Sequence, residues 1–189
     1  MKKFRTIIYA IISSMFLIAC HSQKNGTPQK HNAANESESE ELYGTNANSE
    51  QISFVMNDIN GNPVSVKDEF PKHKITIIDF WASWCGPCRQ EMPNLVNTYN
   101  KYKEQGLGII GISLDENDSQ WKNAIKEMDM SWLQLSDLQG WDNSAAQRYG
   151  IQSIPFTIIV DKNGTIINAG LRGESLENFI YSYLNDLNK

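Results

Sequence analysis

Two hydrophobic periods succeed one another along most of the chain. Ile52, Phe54 and Met56 repeat at every second residue, the period of a strand with one buried face. Asp58-Ile59-Asn60-Gly61-Asn62-Pro63 is turn-forming, and the chain returns through Val64-Ser65-Val66, which predicts a β-hairpin. Ile75 to Phe80 is apolar except at Thr76 and Asp79 and reads as a buried strand. Met92, Leu95, Val96, Tyr99 and Tyr102 then share one helical face. Gly108 to Ser113 gives a further buried strand, Trp121, Ala124, Ile125 and Met128 a helix, Trp132 to Leu135 a short strand, and Ala145 to Tyr149 a short helix. Phe156 to Val160 is a strand that turns at Asp161-Lys162-Asn163-Gly164 and returns through Thr165 to Asn168. Leu176, Phe179, Ile180, Tyr183, Leu184 and Leu187 mark a last amphipathic helix.

Strands alternating with helices imply a parallel core covered on both faces, and the closing hairpin adds antiparallel pairing. The expected class is therefore α/β, a central mixed β-sheet flanked by helices, with no internal repeat. Residues 51–189 carry all of this pattern.

Upstream of residue 51 both periods disappear. Met1-Lys2-Lys3-Phe4-Arg5 is basic, and an apolar run from Ile7 to Ala19 follows, interrupted by Ser13 and Ser14. Its length suits a signal-peptide core and falls short of the roughly 20 residues that span a bilayer. Leu17-Ile18-Ala19-Cys20 resembles the lipobox of bacterial lipoproteins, which implies cleavage before Cys20 and lipid attachment to it. Residues 1–19 are thus read as a lipoprotein signal peptide. Residues 20–50 are read as a lipidated, flexible tether, because Glu36-Ser37-Glu38-Ser39-Glu40-Glu41 and the polar residues around it lack the apolar surface that ordering needs. The address is a bacterial cell envelope, with the chain anchored to a membrane through lipid on Cys20 and the domain in the periplasm. Cleavage removes three of the 17 basic residues and takes the net charge from −5 to −8, which leaves no general attraction to nucleic acid.

Cysteine use then sharpens the chemistry. Only Cys20, Cys85 and Cys88 are present, too few for a disulfide-stapled scaffold. Cys85-Gly86-Pro87-Cys88 follows a strand and opens a helix. The first turn of a helix offers unpaired N–H groups and the positive end of the macrodipole, and both favour a thiolate at Cys85, with a pKa near about 7. Pro87 suits that turn because it has no N–H to leave unpaired. Two residues of spacing let Cys88 attack a sulfur bound at Cys85, so the pair suits dithiol–disulfide exchange without a cofactor or metal. Asp79, six residues before Cys85 in an apolar strand, is expected to be desolvated with a raised pKa.

Ile78-Asp79-Phe80-Trp81-Ala82-Ser83-Trp84-Cys85-Gly86-Pro87-Cys88 resembles the active-site segment of the thioredoxin superfamily. Arg89-Gln90-Glu91-Met92-Pro93 is similar to the TlpA/ResA-like membrane-anchored thiol-disulfide oxidoreductases, and Ser153-Ile154-Pro155 resembles the family's cis-proline segment. Pro155 lies 67 residues after Cys88, which fits the strand-helix insertion of that branch before the cis-proline, as the N-terminal β-hairpin does. The resemblance implies a thioredoxin-like fold and a protein-disulfide reductase. In it Cys85 is the nucleophile, Cys88 the resolving thiol, Asp79 the proton acceptor and Pro155 the cis-proline. Trp84, Gly86, Pro87 and the backbone of Ile154 frame the substrate. A structural buried aspartate is the alternative for Asp79. Trp81 is read as core or site, Glu91 as a surface residue near the site or, the favoured reading, a solvated first-turn residue, and Trp141 as packing or the edge of the site. Some members carry Glu where Gly86 stands, a departure that bears on substrate choice. The implied partners are cysteine-containing envelope proteins and a membrane electron donor of the DsbD/CcdA type.

Two rivals remain at this level. A thiol peroxidase lacks its activating groups here, since Ile78 and Ala82 occupy the positions where peroxiredoxins carry Pro and Thr or Ser. A metal carrier would have to be built on the two thiolates, with His73 the only histidine from residue 51 onward. The lipobox reading yields a direct expectation: mass spectrometry of the mature N-terminus finds Cys20 as the first residue, bearing acyl chains. An unmodified cysteine, or cleavage elsewhere, would sink it.

Overall fold

In the computed structural model, residues 51–187 are described. The expected signal peptide, Cys20 and the tether lie outside the described residues. Strands β1 (Val55–Asn57) and β2 (Pro63–Ser65) form an antiparallel hairpin. Its first strand starts later than the alternation predicts, because Ile52 donates its N–H to Gly164 and Gln51 bridges to Thr165 instead. Val66, read as the end of a strand, opens the short helix α1 (Val66–Glu69), and its own N–H donates to the Phe54 carbonyl.

The remaining elements are β3 (Ile75–Trp81), α2 (Gly86–Tyr102), β4 (Leu107–Ser113), α3 (Asp118–Glu127), β5 (Leu133–Leu135), α4 (Ser144–Arg148), β6 (Phe156–Asp161), β7 (Ile166–Ala169) and α5 (Gly173–Asp186). Five strands make one sheet in the order β5-β4-β3-β6-β7. β3 runs parallel to β4 and antiparallel to β6, so the sheet is mixed, as the pattern implied. α3 and β5 supply the insertion before Pro155.

Burial follows the sheet order. Every residue of β3 and β4, the central and adjoining strands, is buried. The outer strand β7 is half-buried throughout. On α2 the buried side chains include Met92, Leu95 and Tyr102, and on α5 they are Leu176, Ile180 and Leu184, matching the predicted helical faces. α2 runs unbroken through Pro93. The two helices are joined at their rims, where Lys101 Nζ sits 2.6 Å from Glu177 Oε1. Trp81, left open between core and site, is core: it is fully buried and its Nε1 donates to Gln134 Oε1 at 3.1 Å. That pairing needs Gly111 on β4, because a Cβ there would collide with the Gln134 amide.

Candidate active site

β3 ends at Trp81, and a short loop leads to Cys85, which caps the N-terminus of α2. Cys85 and Cys88 form a disulfide with Cα atoms 5.3 Å apart. The Cys88 N–H donates to Cys85 Sγ at 3.1 Å, so a first-turn donor of the helix already points at this sulfur. The same donor would stabilise a thiolate on reduction. Pro87 occupies the first turn as expected. Gly86 and Pro87 are exposed, whereas Cys85 and Cys88 are only 5% and 1% exposed.

β6 brings the second half of the site. Its antiparallel register places Phe156 opposite Phe80, so the residues just before β6 meet the loop just after β3. The Ile154–Pro155 peptide is cis, as the resemblance implied, and the Ile154 carbonyl oxygen lies 3.8 Å from Cys85 Sγ. Pro155 itself is buried.

Asp79 is 3% exposed in the middle of this arrangement. Burial pushes its carboxyl up to about 7, and the negative charge of Glu91 adds to the rise. Glu91 is not the solvated first-turn residue that the sequence reading favoured. It is half-buried, and its Oε1 accepts the Gly173 N–H at 2.6 Å, tying α2 to the first turn of α5. Its partner lies 82 positions away, so no local pattern announces it.

A further carboxylate went unnoticed in the sequence. Asp115, 1% exposed just past β4, accepts from the Ser83 N–H at 3.0 Å, from the Ser83 hydroxyl, and from Ser113 Oγ at 2.7 Å. It anchors the loop that carries Trp84 and Cys85. An acidic residue immediately after an apolar strand was the available signal, because loops at the carboxyl ends of parallel strands are where α/β sites assemble.

The tryptophans also separate. Trp121 and Trp132 are core, at 2% and 6% exposure, with Trp132 edge-on to Tyr99. Trp84 is 53% exposed and its ring contacts that of Trp141, which is 42% exposed. Trp141 therefore edges the site. His73 is far from it, at the start of β3, where burial holds its pKa below the usual value. Among the described residues, no group of three or more His, Cys, Asp or Glu side chains is placed to hold a metal. No described helix is long and apolar enough to cross a membrane.

The raised Asp79 pKa has a signed consequence for stability. Between pH 4 and 7 the folded protein keeps a proton that the unfolded chain releases, so stability falls as pH rises through that window. The shift from 3.8 to about 7 corresponds to roughly 4 kcal/mol as an upper figure. Asp79→Asn is expected to flatten this slope. It should stabilise the oxidised protein by about 2–4 kcal/mol at pH 8 and leave it little changed at pH 4. Denaturant midpoints across the range check this, and a wild-type slope in the variant would place the titration elsewhere.

Comparison with known proteins agrees with this geometry. The Redoxin family model matches residues 46–183. A thiol-disulfide oxidoreductase ResA from Bacillus thuringiensis subsp. konkukian is 34% identical over 135 residues, covering 71% of this chain and 75% of that protein. The Bacillus subtilis ResA is 28% identical over 137 residues, covering 72% and 73%. The solved thioredoxin domain of a thiol-disulfide oxidoreductase from Bacteroides vulgatus superposes with a TM-score of 0.66 at 34% identity, covering 72% of this chain and 97% of that one. With a cysteine pair capping a helix beside a cis-proline, the chain belongs to the Redoxin family and, within the thioredoxin superfamily, to the TlpA/ResA-like thiol-disulfide oxidoreductases.

Proposed function

We propose that this thiol-disulfide oxidoreductase works as a reductant of cysteine-containing proteins in the cell envelope, with Cys85 as the attacking thiol and Cys88 as the resolving one. The observation that carries the assignment is the position of Cys85 as the cap of α2, with the Cys88 N–H aimed at its sulfur. In the reduced enzyme the Cys85 thiolate attacks one sulfur of a substrate disulfide. The substrate S–S bond breaks, a mixed disulfide forms on Cys85, and the departing thiolate takes a proton. Cys88 then loses its proton and attacks Cys85 Sγ. The mixed disulfide breaks and the substrate leaves with both sulfurs reduced. Two electrons have passed to it, and Cys85–Cys88 is left oxidised.

Asp79 serves as the proton acceptor for Cys88. A carboxyl poised at about 7 is divided between its two forms near neutral pH, so it can take a proton and then release it. Cys-Gly-Pro-Cys resembles reducing thioredoxins, at about −270 mV, and not DsbA at about −120 mV. A membrane donor of the DsbD/CcdA type re-reduces the pair. Lipid on Cys20 and a tether through residue 50 hold the domain at the membrane on its periplasmic side. Ile154 offers its backbone, and Trp84, Gly86 and Pro87 their surface, to the incoming chain.

Cys88→Ser removes the resolving sulfur, so envelope proteins should accumulate disulfide-linked to Cys85 and run as reducible adducts on gels. Cys85→Ser should trap none, and adducts that persist in it would overturn the assignment. For Asp79→Asn, the release of a preformed Cys85 mixed disulfide at pH 7 should slow by about 10²-fold, a typical contribution for a positioned proton acceptor. An unchanged rate assigns Asp79 to structure alone.

A further inference from the structure

Three of the five tryptophans, Trp81, Trp121 and Trp132, are buried, as expected of the largest apolar side chain. Trp84 and Trp141 break that rule together. They are 53% and 42% exposed, and their ring centroids stand 6.4 Å apart at an interplanar angle of 55°. Two exposed rings in contact make an apolar patch, and its place beside the redox pair distinguishes it from the singly exposed Val55 and Tyr181. Trp84 directly precedes Cys85, so the surface is continuous with the point at which a substrate sulfur bonds.

Resting on the reading of Cys85 as the attacking thiol, we infer that Trp141 is a specificity-determining residue. With Trp84 it forms an aromatic surface on which an apolar side chain near the reacting cysteine of an extended substrate segment packs.

The ring of Trp141 is held out deliberately. Its segment passes through Leu138 at φ 56° and Gly140 at φ 59°. A left-handed conformation is uncommon for a bulky residue such as leucine and persists only where the surroundings over-determine it. Here they do. Asp137 accepts from Asn143 Nδ2 and from the Ser144 N–H, both at 2.8 Å, and Gln147 Nε2 donates to the Trp141 carbonyl at 2.7 Å. The Leu138 N–H donates to Ser136 Oγ, which in turn donates to the Ser113 carbonyl. Ser113 also donates to Asp115, the carboxylate that anchors the Trp84 loop. Both ring-bearing segments are therefore tied to the buried Ser113–Asp115–Ser136 bonds, Trp84 through Ser83 and the Trp141 segment through Leu138.

The occupant follows from surface chemistry and charge. Trp84 directly precedes Cys85 and touches Trp141, so the rings meet a side chain near the reacting cysteine of the substrate. Glu116 packs against Gly140, and Asp142 adjoins Trp141, so the rim is negative and disfavours an acidic residue. The preferred segment thus carries an aromatic or large aliphatic side chain beside its cysteine, without acidic neighbours.

The test measures reduction of three disulfides by the reduced protein. One is a peptide disulfide with Phe two positions from the cysteine, the second the same peptide with Ser there, and the third bis(2-hydroxyethyl) disulfide. Trp141→Ala should lower kcat/KM on the Phe peptide about tenfold, through KM. It should leave the other two within twofold, with at most a small drop in thermal midpoint from the lost ring contact with Trp84. Trp141→Phe should restore most of the loss. Equal rates for both peptides in the wild-type protein, or equal losses on all three disulfides, would overturn the inference. So would a wild-type dimer that Trp141→Ala makes monomeric, since the rings would then cover a second copy. Inertness of the wild-type protein toward all three would instead defeat the underlying exchange reading, and this inference with it.

Discussion

Strand β3 is hydrogen-bonded along both edges, to β4 in parallel and to β6 in antiparallel sense, and every one of its residues is buried. That double pairing is the constraint from which the site descends. Side chains alternate along a strand, so a slip of one residue would send Asp79 and Trp81 to the opposite face and exchange them for Ile78 and Phe80. Seven pairs with β4 and six with β6 hold the register against it. Because β6 is antiparallel, its start lies beside the end of β3. The same pairing therefore brings Pro155 to Cys85, across 70 positions of sequence.

The arrangement accepts an electrostatic cost at its centre. A carboxyl in the middle of a fully buried strand would be replaced by an apolar side chain if stability alone mattered. Here its pKa is raised by desolvation and further by Glu91, which is itself held in place by the Gly173 N–H. Packing and reactivity are thus set by the same group of contacts. Asp115 contrasts with Asp79. It is equally buried, but hydrogen bonds from Ser83 and Ser113 surround it, and it serves to fix a loop. Two buried carboxylates close to one cysteine pair differ in what surrounds them.

Much of this was legible from the chain. The sheet strands and main helices follow from hydrophobic period, the redox pair from Cys-x-x-Cys at a strand-to-helix junction, and the burial of Asp79 from its apolar flanks. What stayed hidden depends on distant partners. Ile52 alternates correctly with Phe54 and Met56 but bonds to Gly164, so the hairpin is shorter than the alternation suggested. Glu91 lies in the second turn of α2, and only the approach of α5 takes half of it out of solvent. Trp141 stayed open between packing and the edge of the site, because tryptophan on average is well buried. Gly140, left-handed and directly before Trp141, hinted at a turn, but the left-handed Leu138 two residues earlier had no such sign.

The two bonds made by Gln51 and Ile52 have a mechanical meaning. They join the β6–β7 turn at Gly164 and Thr165, and register places that turn beside Ile75, at the end of β3 remote from Cys85. Seven residues of strand, about 23 Å, separate the two ends. Tension arriving along the chain from upstream of residue 51 is therefore delivered to a peripheral turn. It can unzip that turn without a direct line to the disulfide, and a captured partner pulling at Cys85 loads the opposite pole.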